Sequence, residues 1–393
     1  MKKFAFNFLL LISVNLCNLL YGQRMIPDFQ VNENIGTTGA NQSTPSISVD
    51  KTGNFVMVWT DKRNGDSDIY AQRYSNESIA LGPNFKVNDD QGGARQNVPS
   101  ISADESGNFV IVWSDERNGN RDIYAQRYSS DGSALETNFK VNDDHGNGRQ
   151  SGPSISAYGN GNFIITWLDE RDGYFEIYAQ RFSGDGTALG TNFKVNDEEG
   201  AEWLSMGQPS VSANVSGNFI ITWVDDRYGC DIYGQQYSSD GTALGTNFKV
   251  NDDQGNISCQ RYNPSVSMDD NSNFVIVWTN ERNWSCDIYG QRYSSDGTAL
   301  GTNFRVNDDQ GDTEQDFPSI SIDSSGNFVI AWTDERNGNC DIYAQRYSID
   351  FCKIACYEKV VNKCTVCYCK IKIFSEILLD KFLLTCEIIS KRG

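Results

Sequence analysis

The chain has 393 residues, of which 38% are apolar, 12% aromatic and 22% charged, with a formal net charge of −19. That acidic excess excludes a protein that grips nucleic acid through phosphate contacts, and the aromatic content excludes a disordered chain. With His145 the sole histidine, a multi-histidine metal site is excluded, and any Ser-His-Asp triad would have to use that residue.

The chain starts with a charged Lys2-Lys3 pair and a mostly apolar stretch over residues 4–20, followed by Tyr21-Gly22-Gln23. This pattern predicts a secretory signal peptide over residues 1–22, cut after Gly22. The expected location is therefore secreted or cell-surface, with no membrane span after cleavage.

From residue 23 to 348 a single pattern recurs. Its tryptophans, Trp59, Trp113, Trp167, Trp223, Trp278 and Trp332, are spaced 54, 54, 56, 55 and 54 residues apart, and Pro45, Pro99, Pro153, Pro209, Pro264 and Pro318 keep the same spacing. Each copy holds four strand signals. In the second copy Ser100-Ile101-Ser102-Ala103 is short and small, and Phe109-Val110-Ile111-Val112-Trp113 is apolar throughout, as a strand buried on both faces must be. Ile123-Tyr124-Ala125-Gln126-Arg127-Tyr128 is mixed, and Phe139-Lys140-Val141-Asn142 alternates as a half-exposed outer strand does. Glu105-Ser106-Gly107-Asn108 and Ser130-Asp131-Gly132 supply the turns between them. Repeats of this length with four antiparallel strands predict an all-β, six-bladed β-propeller of four-stranded antiparallel blades.

The fourth strand type has one copy that stands alone ahead of the first full repeat, Asp28-Phe29-Gln30-Val31-Asn32, whereas the last repeat ends at Tyr347-Ser348 without one. The N-terminal strand is therefore expected to close the ring as the outer strand of blade six, which removes an open sheet edge. Beyond it, residues 349–393 break the pattern and hold six of the 11 cysteines. This Cys-rich tail reads as non-native or disordered.

The "GNFVIVW…DERNG…DIYAQRY" string resembles the aromatic-rich propeller repeats of secreted bacterial proteins, over about residues 28 to 348. That resemblance implies an exported propeller and no defined activity. A weaker similarity to sialidase propellers rests on Ser48-x-Asp50, Ser102-x-Asp104 and Ser321-x-Asp323, and no sialidase catalytic residue carries over.

Two loop types emerge on one face of such a ring. Asp115-x-Arg117 has counterparts in Asp61/Arg63, Asp169/Arg171, Asp225/Arg227 and Asp334/Arg336, and a pair present in nearly every blade is most simply a blade-to-blade tie. No cofactor is implied, although the Asn-Asp-Asp loops offer Asp89, Asp90, Asp252 and Asp253 as calcium ligands; the alternative is a solvated acidic turn. Departures from the repeat carry more information. Tyr174, Phe175, Trp203, Tyr228, Tyr262 and Trp284 put aromatics into loops where other copies hold small or polar residues. Such rings stack on sugar faces, so these six are the expected binding residues. Cys230, Cys259, Cys286 and Cys340 share the same loops and could form disulfides.

The function expected from these features is a monomeric recognition or scaffold propeller that binds a glycan or a surface protein through one loop face, without catalysis. Two alternatives stay open: a glycan-cleaving hydrolase or lyase of sialidase-like propeller type, and a purely structural surface protein.

Overall fold

The computed structural model describes residues 29–32 and 41–348, apart from 91, 144–145, 147, 160, 198–207, 226–229, 253–260, 283–284, 310 and 312, together with two strands of the tail. Every described element is a β-strand. Blade two shows the pattern: inner strand Gln96–Ala103, then Phe109–Asp115, Asp122–Tyr128 and outer strand Ala134–Lys140, hydrogen-bonded in chain order and antiparallel. Blades one, three, four and five repeat it from inner strands Gln42–Val49, Gln150–Tyr158, Ser210–Ala213 and Arg261–Met268. Blade six holds Gln315–Ile322, Phe328–Asp334 and Asp341–Tyr347. The chain is thus the all-β, six-bladed propeller that its repeats predict. In the tail, Lys353–Val361 and Cys364–Lys372 pair as a separate hairpin.

The core lies between blades, because the second strand of each blade is apolar on both faces. Phe109, Ile111 and Trp113 pack back onto Val56, Val58, Ile69 and Ala71 of blade one, whereas Val110 and Val112 pack forward onto Phe163, Ile165 and Trp167 of blade three. Ring contacts repeat with the same step: Phe109 stacks on Tyr128 at 4.8 Å, and Phe85 from the preceding outer strand tilts onto the same Tyr128 at 5.5 Å.

Polar ties lock neighbouring blades in register. The second serine of each Pro-Ser-x-Ser inner strand accepts a backbone N–H from the next blade. Ala103 donates to Ser48 at 2.9 Å, Ala157 to Ser102 at 2.9 Å, Ala213 to Ser156 at 3.0 Å, Met268 to Ser212 at 3.0 Å and Ile322 to Ser267 at 3.1 Å. Toward the same next blade, Arg127 donates to the carbonyls of Gly184 and Asp185, and Arg73 does the same to Ser130 and Asp131. In blade four Gln236 replaces the arginine and still reaches Ser295 at 3.3 Å.

The junction of blades six and one differs. Residues 29–32 sit on blade one as an outer strand sits on the blade after it: Phe29 tilts onto Tyr74 at 5.2 Å, and Asn84 donates to the Val31 carbonyl at 3.2 Å, as Asn138 does to Val87 at 3.3 Å. The N-terminal segment therefore occupies the place that ring closure assigns to it relative to blade one. No ladder joins it to Asp341–Tyr347 among the described residues, so the sixth sheet has three strands. Ile342 is 73% exposed there, against 0% for Ile69, Ile123, Ile177, Ile232 and Ile288.

The interblade core predicts a specific stability loss. Trp113 is fully buried in the cluster between blades one and two, so Trp113→Ala should destabilise by about 3–5 kcal/mol. Chemical denaturation of the variant beside the parent chain measures this directly.

Candidate functional site

The face that carries the second-to-third strand loops and the blade-to-blade loops is built first from repeated carboxylates. Asp115 is completely buried, accepts the Trp113 indole N–H at 2.8 Å and the Arg117 backbone N–H at 2.9 Å, and pairs with the Arg117 guanidinium at 2.7 Å. The same guanidinium lies 4.2 Å over the Tyr124 ring and reaches Asp89 in the loop leaving blade one, at 2.7 Å. Arg171–Asp143 at 3.0 Å and Arg336–Asp308 at 2.9 Å repeat the bridge. In blades two, three and six the Asp-x-Arg pairs are blade-to-blade ties, as their recurrence predicts.

The Asn-Asp-Asp loops are tied as well. Asn142 accepts the Ile123 N–H at 2.8 Å and donates to Asp122 and Gln150, each at 3.0 Å. Among the calcium candidates, Asp89 is engaged by Arg117, Asp90 accepts from Asn88 at 2.5 Å, and Asp252 accepts the Asn303 N–H at 3.1 Å. Asp253 lies outside the described residues, as do Trp203, Tyr228 and Trp284.

The remaining predicted aromatics separate. Tyr174 and Phe175 belong to blade three, where both are half-buried and Phe175 packs on the core between blades three and four. Tyr262 belongs to blade five, in a group that breaks the repeat. Arg261 there replaces the buried glutamine of other blades, is 2% exposed, and pairs with Asp231 of blade four at 3.3 Å. Asn280 replaces the buried aspartate, and the Trp278 indole N–H, which in blades one, two, three and six donates to that aspartate, has no partner among the described residues. The Tyr262 hydroxyl lies 2.9 Å from the Cys286 thiol. Burial, the bond to Cys286 and the negative charges of Asp316 and Glu281 all push the Tyr262 phenol up. Burial also raises the Cys286 thiol, with Glu281, Glu314 and Asp316 adding to it against the Tyr262 bond. Cys286 and Cys340 are thiols, and Cys259 falls outside the described residues.

Beside this pair stands a residue that sequence reasoning passed over. Asp316 occupies the inner strand of blade six at the position filled by Ser43, Asn97, Ser151 and Tyr262 in other blades. Its Oδ1 accepts from Thr279 at 2.7 Å, Asn263 at 2.9 Å and the Phe317 backbone N–H at 2.6 Å. No described residue bonds its Oδ2. Phe317, next in the chain, is 65% exposed. It sits at a bulge that precedes the inner-strand proline in blades one, two, three, five and six, where the backbone is left-handed at Thr44, Val98, Gly152, Asn263 and Phe317, with φ between 51° and 61°. In blades three and four these pre-proline residues come close: a Cβ on Gly152 would lie 2.6 Å from the Gln208 side chain. They form a rim about the axis on the same face.

No family model and no curated protein matches the chain. Solved structures do. An alpha-L-arabinanase from Penicillium chrysogenum complexed with arabinobiose aligns with TM-score 0.52 at 12% identity, over 81% of this chain and 96% of its own. An alpha-L-arabinofuranosidase from Fusarium graminearum, also with arabinobiose, gives 0.51 at 12%, over 77% and 92%. A polysaccharide lyase acting as an ulvan lyase gives 0.53 at 12%, over 76% and 78%. At these identities the likeness shows the propeller fold. The named propellers are nevertheless enzymes on glycans. They stand against the expectation of a non-catalytic recognition module.

The buried Asp334 gives this face a pH dependence. Burial works to raise the Asp334 carboxyl, but hydrogen bonds from Arg336 and Trp332 and the guanidinium charge outweigh it and hold it at about 2, against an ordinary 3.8. A carboxyl lowered by folding stabilises the fold above its unfolded value and loses that contribution as pH falls toward the folded one. Asp334→Asn should therefore be less stable than the parent at neutral pH, with the gap narrowing as pH falls from 3.8 to about 2. Urea midpoints across that range check it.

Proposed function

We propose that the protein is an exported enzyme that cleaves a glycan at the axial rim between blades five and six. The observation that carries this reading is Asp316, a carboxylate at a place where no other blade has one. Three donors orient it through Oδ1, and Oδ2 is left without a protein bond among the described residues. Glycosidic cleavage by hydrolysis uses two carboxyl groups flanking the scissile bond, one to donate a proton and one to act as base or nucleophile. Glu281 and Glu314 are the candidates for the second group, since both raise the Cys286 thiol as Asp316 does. The exposed Phe317 ring offers the apolar face on which a sugar stacks. Tyr262 belongs to the same group.

The test is a screen of purified protein against arabinans, ulvan and other polysaccharides, with release of reducing or unsaturated ends as the readout. Asp316→Asn keeps the size of the side chain and should lower kcat by roughly a thousandfold or more with a nearly unchanged melting temperature. Phe317→Ala should instead raise KM by roughly tenfold. An Asp316→Asn variant as active as the parent would move the chemistry elsewhere on the ring, and glycan binding with no turnover by the parent would overturn the enzyme reading.

Export makes a separate prediction. Expressed in a secreting host, the mature chain should begin at Gln23, which intact mass and N-terminal sequencing will show.

A further inference from the structure

Resting on the catalytic reading above, we propose that the sugars held at the axial rim are uncharged, so that the substrate is a neutral polysaccharide cut by hydrolysis and not a polyuronate cut by elimination.

The rim is made by the residues just ahead of the inner-strand prolines. In the two places before each of the six repeat prolines, Asp316 alone is charged. The other polar groups there are hydroxyls and amides. Ser43, Asn97, Ser151 and Gln208 are exposed or half-buried, and among the described residues their side chains make no hydrogen bond. The amides that build the ring differ. Asn138 joins Val87 to Gln126, and Asn142 joins Asp122 to Gln150. Free hydroxyls and amides both donate and accept, which matches the hydroxyl groups of a neutral sugar. A uronate or sulfate ester is matched instead by a guanidinium or an ammonium.

The surroundings of Asp316 carry the same sign. Exposed Glu314 stands two residues before it, where blades two and three hold Arg95 and Arg149. Glu281 pairs across the hairpin with Cys286, whose thiol meets Tyr262. On this face of blades five and six the described arginine side chains are engaged by carboxylates. Arg261 pairs with Asp231 at 3.3 Å, Arg305 with Asp287 at 2.5 Å, and Arg336 with Asp334 at 2.6 Å and Asp308 at 2.9 Å. The Arg282 side chain lies outside the described residues. Elimination removes the proton from the carbon beside a uronate carboxyl, and the charge that develops there needs positive charge on that carboxyl. No described side chain of the rim supplies it, and Asp316 and Glu314 repel a uronate. Hydrolysis asks only for carboxyl groups. The anomeric C–O bond breaks, the hydroxyl of water goes to the anomeric carbon, and a proton goes to the departing oxygen.

Calorimetric binding and product analysis on the full chain decide it. The probes are neutral oligosaccharides of arabinose, xylose and galactose, set against oligouronates and ulvan fragments, each with and without added calcium. A neutral oligosaccharide should bind roughly tenfold or more tighter than any anionic one, with an affinity that salt leaves unchanged, and should be cut to reducing ends without unsaturation. Asn97→Ala and Gln208→Ala should each weaken that binding by roughly threefold to tenfold at an unchanged melting temperature, because neither side chain is bonded within the protein. Gln208→Lys should narrow the gap by tightening the anionic fragments. A preference of the unaltered chain for a polyuronate, with or without calcium, overturns the proposal. So do unsaturated ends in its products, or neutral-sugar binding that Asn97→Ala and Gln208→Ala both leave intact. A polyuronate cut by elimination upholds a catalytic rim and removes the neutral substrate. A neutral glycan bound but never cut removes the catalytic reading and leaves the charge preference standing. Binding of no probe removes both.

Discussion

No blade of this protein can bury its own apolar surface. The second strand of each blade carries large side chains on both faces, and a single four-stranded sheet covers neither. Burial must come from the blades before and after, so each blade is stable only as a neighbour. The seryl, arginyl and asparaginyl ties follow from that constraint. They hold adjacent sheets at the one offset where Trp113-type residues meet the strands of the preceding blade, and they satisfy the backbone groups that this packing removes from water.

The same constraint separates structure from chemistry. The buried aspartates at Asp61, Asp115, Asp169 and Asp334 accept an indole N–H and a guanidinium, and their arginines stack on tyrosines. A charge so fully engaged serves the ring and leaves nothing over for a substrate. Asp316 is held by neutral donors and by one oxygen only. Blade five relaxes the pattern next to it: Asn280 replaces the tied aspartate and Arg261 replaces a glutamine. The place where the repeat gives up its regular charge is the place where a non-repeating carboxylate stands.

The strand order, the six copies and the place of the N-terminal strand relative to blade one were legible in the chain, because each rests on a period that survives substitution. The tie made by Asp-x-Arg was legible for the same reason. The role of the second serine was not, since Ser102 reads as a small inner-strand residue until its hydroxyl is seen to accept from blade three. The aromatic departures from the repeat pointed to Tyr262 but not to Asp316, which is no aromatic, nor to Phe317, although all three lie at the start of an inner strand. A signal was present nonetheless. Asp316 stands against Ser43, Asn97, Ser151 and Tyr262, and Phe317 is the bulkiest of the residues preceding the six repeat prolines.

That last contrast separates backbone from side chain. A left-handed φ is unfavourable for any residue with a Cβ, and more so for a bulky one. Thr44, Val98, Asn263 and Phe317 adopt it alike, with φ between 51° and 53°, so the bulge belongs to the architecture of these inner strands and not to one residue type. A small residue meets the bulge with little penalty, as Gly152 does. An aromatic there adds steric cost without adding burial, because Phe317 is largely exposed. Neither the packing between blades nor the bulge itself calls for that ring. Beside a carboxylate held by three donors, an exposed ring suits the proposed glycan reading, because a flat apolar face next to an oriented acid is what a sugar ring at a scissile bond requires.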